Sequence, residues 1–190
     1  MFDELTRRID QLLAKPPVVV AVSGFGGAGK TTLAKRLQKH YPDSTLIQLD
    51  NFLINRGEGE GINGGYDWQR FVGVVDDAKS GRSLRYQWYD WHADSLAGFI
   101  DEPVRPLVII EGVRLIQPSV TDHVDLSVWI DCPLEEATQR GIERDRQNKG
   151  WTKAALDEQI RKWHEVWVPK DKAFDEEFVP RDKADMLYSD

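Results

Sequence analysis

Residues 24–31 read Gly24-Phe25-Gly26-Gly27-Ala28-Gly29-Lys30-Thr31, and this stretch decides the fold. It fits the pattern G-x-x-x-x-G-K-[ST]. Before it stands Val18-Val19-Val20-Ala21-Val22, an unbroken apolar run of the kind found in strands buried on both faces. After it, Lys30 to His40 reads as a helix. Glycine fills four of the first six positions of the motif, so successive backbone N–H groups can turn inward around phosphate oxygens. The following helix offers its positive end to the same charge. A glycine-rich strand–helix turn that binds nothing is the plainer alternative, but the flanking strand and helix and the Lys-Thr ending favour a phosphate loop. The motif assigns Gly24, Gly26, Gly27, Ala28, Gly29, Lys30, Thr31 and Thr32 to a nucleotide. Lys30 would reach its β- and γ-phosphates, and the Thr31 hydroxyl would help hold Mg²⁺.

Outward from the loop, Phe2, Leu5, Ile9, Leu12 and Leu13 recur at helical spacing and predict an amphipathic helix that Pro16 and Pro17 end. Thr45 to Leu49, Leu107 to Ile110 and Leu126 to Ile130 are three further strand-sized apolar runs, with a weaker one at Met186. Helical stretches at Pro133 to Asn148 and Thr152 to Trp167 follow them. Strands alternating with helices predict an α/β, three-layer P-loop fold with a mostly parallel sheet of about five strands. Glycine-rich Arg56 to Gly65 has little to bury and predicts a loose surface loop. With no internal repeat and no linker, residues 1–190 are expected to form one domain with a small lid near 140–151.

Composition narrows the classes. At 41% hydrophobic and 30% charged residues the chain is neither disordered nor membrane-spanning. Its longest apolar runs fall far short of the ~20 residues that cross a bilayer. A net charge of −7 makes nucleic acid and membranes poor partners, so a phosphate site must be a local basic patch. One cysteine, Cys132, excludes a disulfide framework, and a cytoplasmic location is expected.

Three features outside the loop point to a kinase. Thr45 to Leu49 delivers Asp50 at a strand's C-terminal end, where open α/β sheets place ligands. A carboxylate there can accept the proton of a hydroxyl under attack, although on position alone Asp50 and Asn51 would equally cap a turn. Leu107 to Ile110 ends in Glu111-Gly112, an acid placed to hold the metal or its water, or an ordinary strand-end acid. Arg140 and Arg144 stand one helical turn apart, with Arg146 and Lys149 beyond. They could close on the triphosphate, or form a solvated face with Glu136 paired to Arg140. The base-reading Asn/Thr-Lys-x-Asp motif of GTPases is not found near Asn148-Lys149-Gly150-Trp151.

Together these segments resemble the uridine kinase/phosphoribulokinase-like branch of P-loop kinases. Leu49-Asp50-Asn51-Phe52 resembles that family's Asp-x-Phe segment, which implies Asp50 as the base and a neighbour of the metal. Ile109-Ile110-Glu111-Gly112 is similar to its Glu-Gly strand end, implying a Mg²⁺ role for Glu111 beside Thr31. Asp131-Cys132-Pro133 followed by Arg140 and Arg144-Asp145 resembles its lid entry, implying phosphate contacts from both arginines. Tyr66-Asp67-Trp68 and Tyr89-Asp90-Trp91 resemble its acceptor-pocket segments, with His92 near the position of a base-contacting histidine. A Phe-Asp-His-Pro run usual in uridine kinases is replaced here by the glycine-rich segment. The tryptophans at 68, 88 and 91 could stack on a flat or sugar-like acceptor, or simply pack. Leu156, Ile160, Trp163 and Trp167 form a helical stripe that reads as core.

The expected reaction is transfer of the γ-phosphoryl group of ATP, with Mg²⁺, to a hydroxyl of a small metabolite. The resemblance points to a nucleoside such as uridine. Pantothenate, a sugar or an antibiotic remain open as acceptors, as do self-association of the chain and a nucleotide-dependent switch that phosphorylates nothing.

Overall fold

The computed structural model describes residues 1–54, 59–90, 93–148 and 150–189. The valine run becomes β1 (Val18–Ser23), buried along its whole length. Its side chains alternate: Val18, Val20 and Val22 enter one hydrophobic cluster, and Val19 and Ala21 enter another on the opposite face. β2 (Ser44–Gln48), β5 (Leu107–Gly112), β1, β6 (Leu126–Ile130) and β7 (Met186–Tyr188) lie side by side in that order, every neighbouring pair parallel. The expected five-stranded parallel sheet is therefore present.

Helices cover both faces. α1 (Phe2–Leu12), α2 (Lys30–His40), α5 (Leu134–Arg146) and α7 (Val168–Phe178) contribute Leu5, Ile9, Leu33, Leu37, Ala137 and Phe174 to the first cluster. α3 (Trp68–Lys79) and the short α4 (Pro118–Thr121) contribute Phe71, Val74, Val75 and Val120 to the second. Each large apolar side chain buried this way contributes roughly 1.5–3 kcal/mol. No helix among the described residues is long and apolar enough to cross a membrane.

Three departures from expectation have physical causes. A separate antiparallel hairpin, β3 (Leu84–Asp90) and β4 (Ser95–Glu102), lies outside the main sheet. β3 alternates only through Leu84 and Tyr86 before a bulge between Gln87 and Tyr89 buries Tyr89 in place of Trp88, and β4 is mostly exposed and carries no apolar rhythm to reveal it. The helix expected to stop at Trp167 continues: α6 (Lys153–Lys162) passes through a π-helical turn (Trp163–Trp167) into α7. Pro169 cannot donate to the ladder and its ring crowds the preceding turn, and the wider i→i+5 turn absorbs both demands. Finally, the glycine-rich segment is fastened where it is described. Lys170 Nζ donates to Gly59 O (2.8 Å) and Gly64 O (3.1 Å), and Asn63 pairs with Gln117. Residues 55–58 of that expected loop lie outside the described residues.

Candidate active site

At the C-terminal edge of the sheet the chain turns from β1 into the glycine loop. Gly27 has a left-handed φ of 83°, and a Cβ there would lie 2.1 Å from Ala137 O. Only glycine lets the loop pack against α5. Gly29, with φ 105°, opens α2 as its N-cap. Gly24 leaves the strand against Ile130, and Gly26 is covered by the ring of Trp163, 2.9 Å from a would-be Cβ.

Lys30 is buried, and its Nζ donates to Phe25 O at 2.8 Å. Burial lowers its ammonium pKa, and the nearby Glu111, Asp171 and Asp50 carboxylates pull it back up. Thr31 Oγ1 donates to Glu111 Oε1 at 2.9 Å, and Gln48 Nε2 donates to the same oxygen at 2.9 Å. Gly112 makes this approach fit, because a Cβ there would meet Leu49 Cβ at 2.4 Å. β5 can thus press its acidic end against the 3₁₀ turn Leu49–Phe52 that carries Asp50.

Asp50 is reached by water through the cavity mouth, but the surrounding walls displace bulk solvent. That desolvation, then the Glu111 charge, pushes its carboxyl above the ordinary range, while Lys30 and Tyr66 oppose the shift. Tyr66 Oη donates to Asp50 Oδ1 at 3.2 Å. Burial and the Asp50 charge hold the Tyr66 phenol well above its usual pKa, so it remains a donor.

These groups share a cavity of about 340 Å³, lined by Gly26, Gly27, Lys30, Thr31, Asp50, Tyr66, Glu111 and Arg144. Its remaining wall holds Arg114, Gln159 and Asp171, which sequence reasoning missed, together with Asp145 and Trp151 from the expected lid segment, to which it gave no role of their own. Trp163 and Trp167 stand there too. Of the stripe expected to be core only Trp163 is buried, and its ring also borders the cavity; Leu156, Ile160 and Trp167 are half-buried, because α6 buries none of its residues fully. Asp145 accepts from Trp163 Nε1 (2.8 Å), Gln159 Nε2 (3.2 Å) and Arg144 Nη2 (2.9 Å). Asp171 joins Gly26 N (3.0 Å) to Arg114 Nη2 (2.9 Å). Nothing in the local sequence signals these last two residues, because they meet across 57 positions of chain.

A second cavity, about 490 Å³, opens on the other side of the loop. Gly27, Ala28, Gly29, Thr32, Arg36, Cys132, Arg140 and Tyr188 line it. Arg140 therefore faces this side and is paired with Glu136 at 2.5 Å, while Arg144 faces the first. Both arginines and the start of the expected lid lie within α5.

The residues of the expected acceptor pocket are dispersed. Tyr66 lies in the first cavity. Asp67 caps α3, accepting from Arg70 N at 3.0 Å. Trp68 donates to Asn63 O at 2.8 Å and packs edge-on against Phe71. Tyr89 is buried in the hairpin and bonded to Asp94. Trp88 is exposed on the hairpin. Trp91, His92 and Lys149 lie outside the described residues.

The donor set fits a hard divalent cation. A hydroxyl and a carboxylate at bonding distance suit Mg²⁺, which keeps waters and phosphate oxygens as its other ligands. Among the described residues no group of three or more His, Cys, Asp or Glu forms a self-sufficient metal cage.

Known proteins resemble this chain in sequence and in fold. The uridine kinase of Halobacterium salinarum is 28% identical over 182 residues, covering 87% of this chain and 80% of that protein. Two solved structures share the fold. A possible uridine kinase from Bacillus stearothermophilus has a TM-score of 0.70 at 20% identity, covering 97% of this chain and 99% of that one. A putative fructose transport system kinase from Silicibacter has a TM-score of 0.72 at 21% identity, covering 92% and 91%. The profile of the phosphoribulokinase/uridine kinase family matches residues 63–168, more than half of the chain. With a nucleotide loop, a strand-end acid and this profile in one chain, the protein belongs to the phosphoribulokinase/uridine kinase family.

Proposed function

We propose that the chain transfers the γ-phosphoryl group of ATP to a hydroxyl of a small metabolite, and that nucleosides such as uridine are among the acceptors its relatives point to. The observation that carries this reading is the convergence of Lys30, Thr31, Glu111, Asp50 and Tyr66 on one cavity. A nucleotide switch has no use for a carboxylate with a raised proton affinity facing the phosphate end of the loop.

The loop separates the two cavities and lines both, so a triphosphate would cross it with its γ end beside Lys30. The nucleoside end of ATP then belongs in the second cavity, near Arg36, Arg140 and Tyr188. The amides of Gly26 to Thr31 and the Lys30 ammonium would hold phosphate charge once Gly26 N gives up Asp171 and Ala28 N gives up Phe25 O. Thr31 and Glu111 would hold Mg²⁺, which neutralises phosphate charge when bound. Asp50 orients the acceptor hydroxyl and takes its proton, and Tyr66 keeps that carboxylate aimed into the cavity. Arg144 can leave Asp145 to meet charge on the group in transit, since its side chain is largely exposed. Residues 1–190 act as one unit in this scheme, with a small lid near 140–151, of which Lys149 lies outside the described residues.

ADP release from ATP and Mg²⁺, followed with and without a panel of hydroxyl compounds, tests the proposal. Stimulation by a compound that is itself consumed supports it. A slow rate indifferent to every compound would turn the reading towards a switch.

A further inference from the structure

Resting on the kinase reading above, we propose that the Asp171 carboxylate and the γ-phosphoryl group of ATP compete for one site, the Gly26 amide and the Arg114 guanidinium. ATP, unlike ADP, then expels Asp171 and loosens the first turn of α7.

Asp171 is buried, with Oδ2 accepting from Gly26 N at 3.0 Å and Oδ1 from Arg114 Nη2 at 2.9 Å. A loop amide and a guanidinium are the donors that phosphoryl oxygens also take. Gly26 and Lys30 line the first cavity and not the second, so a triphosphate crossing the loop brings its γ end to this amide. Ala28, Gly29 and Thr32 line the second cavity, where the rest of the nucleotide belongs. ADP can therefore rest on the loop with Asp171 in place. ATP cannot, because two anions repel at one donor.

The two halves of the ion pair are anchored differently, so an exchange can separate them. Arg114 follows β5 and is fixed there: its backbone is left-handed, with φ 60°, and its carbonyl accepts from Gln117 Nε2 at 2.8 Å. Its Nε–H is buried without a partner, which leaves one donor for a further anion oxygen. Losing Asp171 with nothing in its place would strand a buried charge, so only another anion can make the exchange. Asp171 instead rides on α7, just after the π-helical turn Trp163–Trp167. Such turns recur at functional sites. Three residues further on, Phe174 is fully buried in the core and holds the rest of the helix.

The stretch between Trp163 and Phe174 is thus the part that gives. It carries Trp167, which stands in the wall of the first cavity. It also carries Lys170, whose Nζ holds Gly59 O and Gly64 O of the glycine-rich segment. Expelling Asp171 loosens both. The acceptor side opens when a phosphoryl group is present to be transferred and closes again over ADP.

Hydrogen exchange read by mass spectrometry tests this in the unmodified protein with saturating Mg²⁺ and either ADP or the imido analogue of ATP. Amides of residues 164–173 should exchange about tenfold faster with the analogue than with ADP. Asp171→Asn keeps an acceptor for Gly26 N and removes the charge. It should lower the ratio of the analogue Kd to the ADP Kd by about tenfold, since only the analogue competes with the carboxylate. The same stretch should already exchange fast in that variant without nucleotide. General destabilisation would speed exchange but would not tighten binding. Should Asp171→Asn fail to fold, the comparison in the unmodified protein decides alone. Exchange that is equal or slower with the analogue, or a Kd ratio unchanged in the variant, would overturn the competition and leave the kinase reading standing. Failure of the unmodified protein to bind either nucleotide would instead remove both.

Discussion

The phenol of Tyr66 donates to Asp50 Oδ1 at 3.2 Å, so a side chain just ahead of α3 steadies a carboxylate in the 3₁₀ turn that follows β2. A hydrogen bond to the ionised form favours it. Tyr66→Phe should therefore raise the Asp50 pKa further and move the acid limb of the kcat/KM profile to higher pH. The rate well above that limb should fall only a few-fold. An unmoved limb would show that Tyr66 does not govern Asp50.

Asp50 makes a prediction about stability as well as rate. Its folded-state pKa is raised, so the folded protein binds this proton more tightly than the unfolded chain does. Ionised Asp50 then costs stability as pH rises through the window between the two values. Asp50→Asn should melt higher than the parent at neutral and mildly alkaline pH. The gap should close below about pH 4, where both states are protonated. A variant that melts lower at every pH would contradict the placement of this carboxylate.

Lys30→Met keeps the length of a buried side chain and removes its charge. Melting temperature should hold or rise, since no ammonium need be desolvated. Turnover should fall by at least about an order of magnitude, because the lost contact serves transition-state charge. Retained turnover would remove the loop from catalysis.

Gly27→Ala tests the packing of the loop. Its methyl would enter Ala137 O at 2.1 Å from a residue with φ 83°. Strain of order 1–3 kcal/mol is expected, beyond what the clash adds, with loss of nucleotide binding. Gly29→Ala shares the positive φ but meets nothing within 4 Å, so it should be milder by circular dichroism melting.

Much of this was legible in the sequence because the signals were local. The loop, β1 and α2 are contiguous, and their glycines and apolar runs need no tertiary knowledge. Asp50 and Glu111 stood out because each ends an apolar strand run. What escaped was assembled at long range. Arg114 and Asp171 meet only because α7 returns to the loop, and Trp163 reads as core from its spacing alone because half of its role is core. β4 lacks alternation, so neither it nor the hairpin could be read from apolar rhythm. Tyr89 shows the opposite case, a side chain picked out by resemblance whose hydroxyl the hairpin itself employs.

The most direct test of the central claim is mass spectrometry of the acceptor after incubation with ATP, Mg²⁺ and either the unmodified protein or Asp50→Asn. The account predicts a phosphorylated acceptor formed in step with ADP, and its loss by about 100-fold or more in the variant while ATP still binds. ADP formed without any phosphorylated acceptor, at the same rate in both proteins, would contradict it.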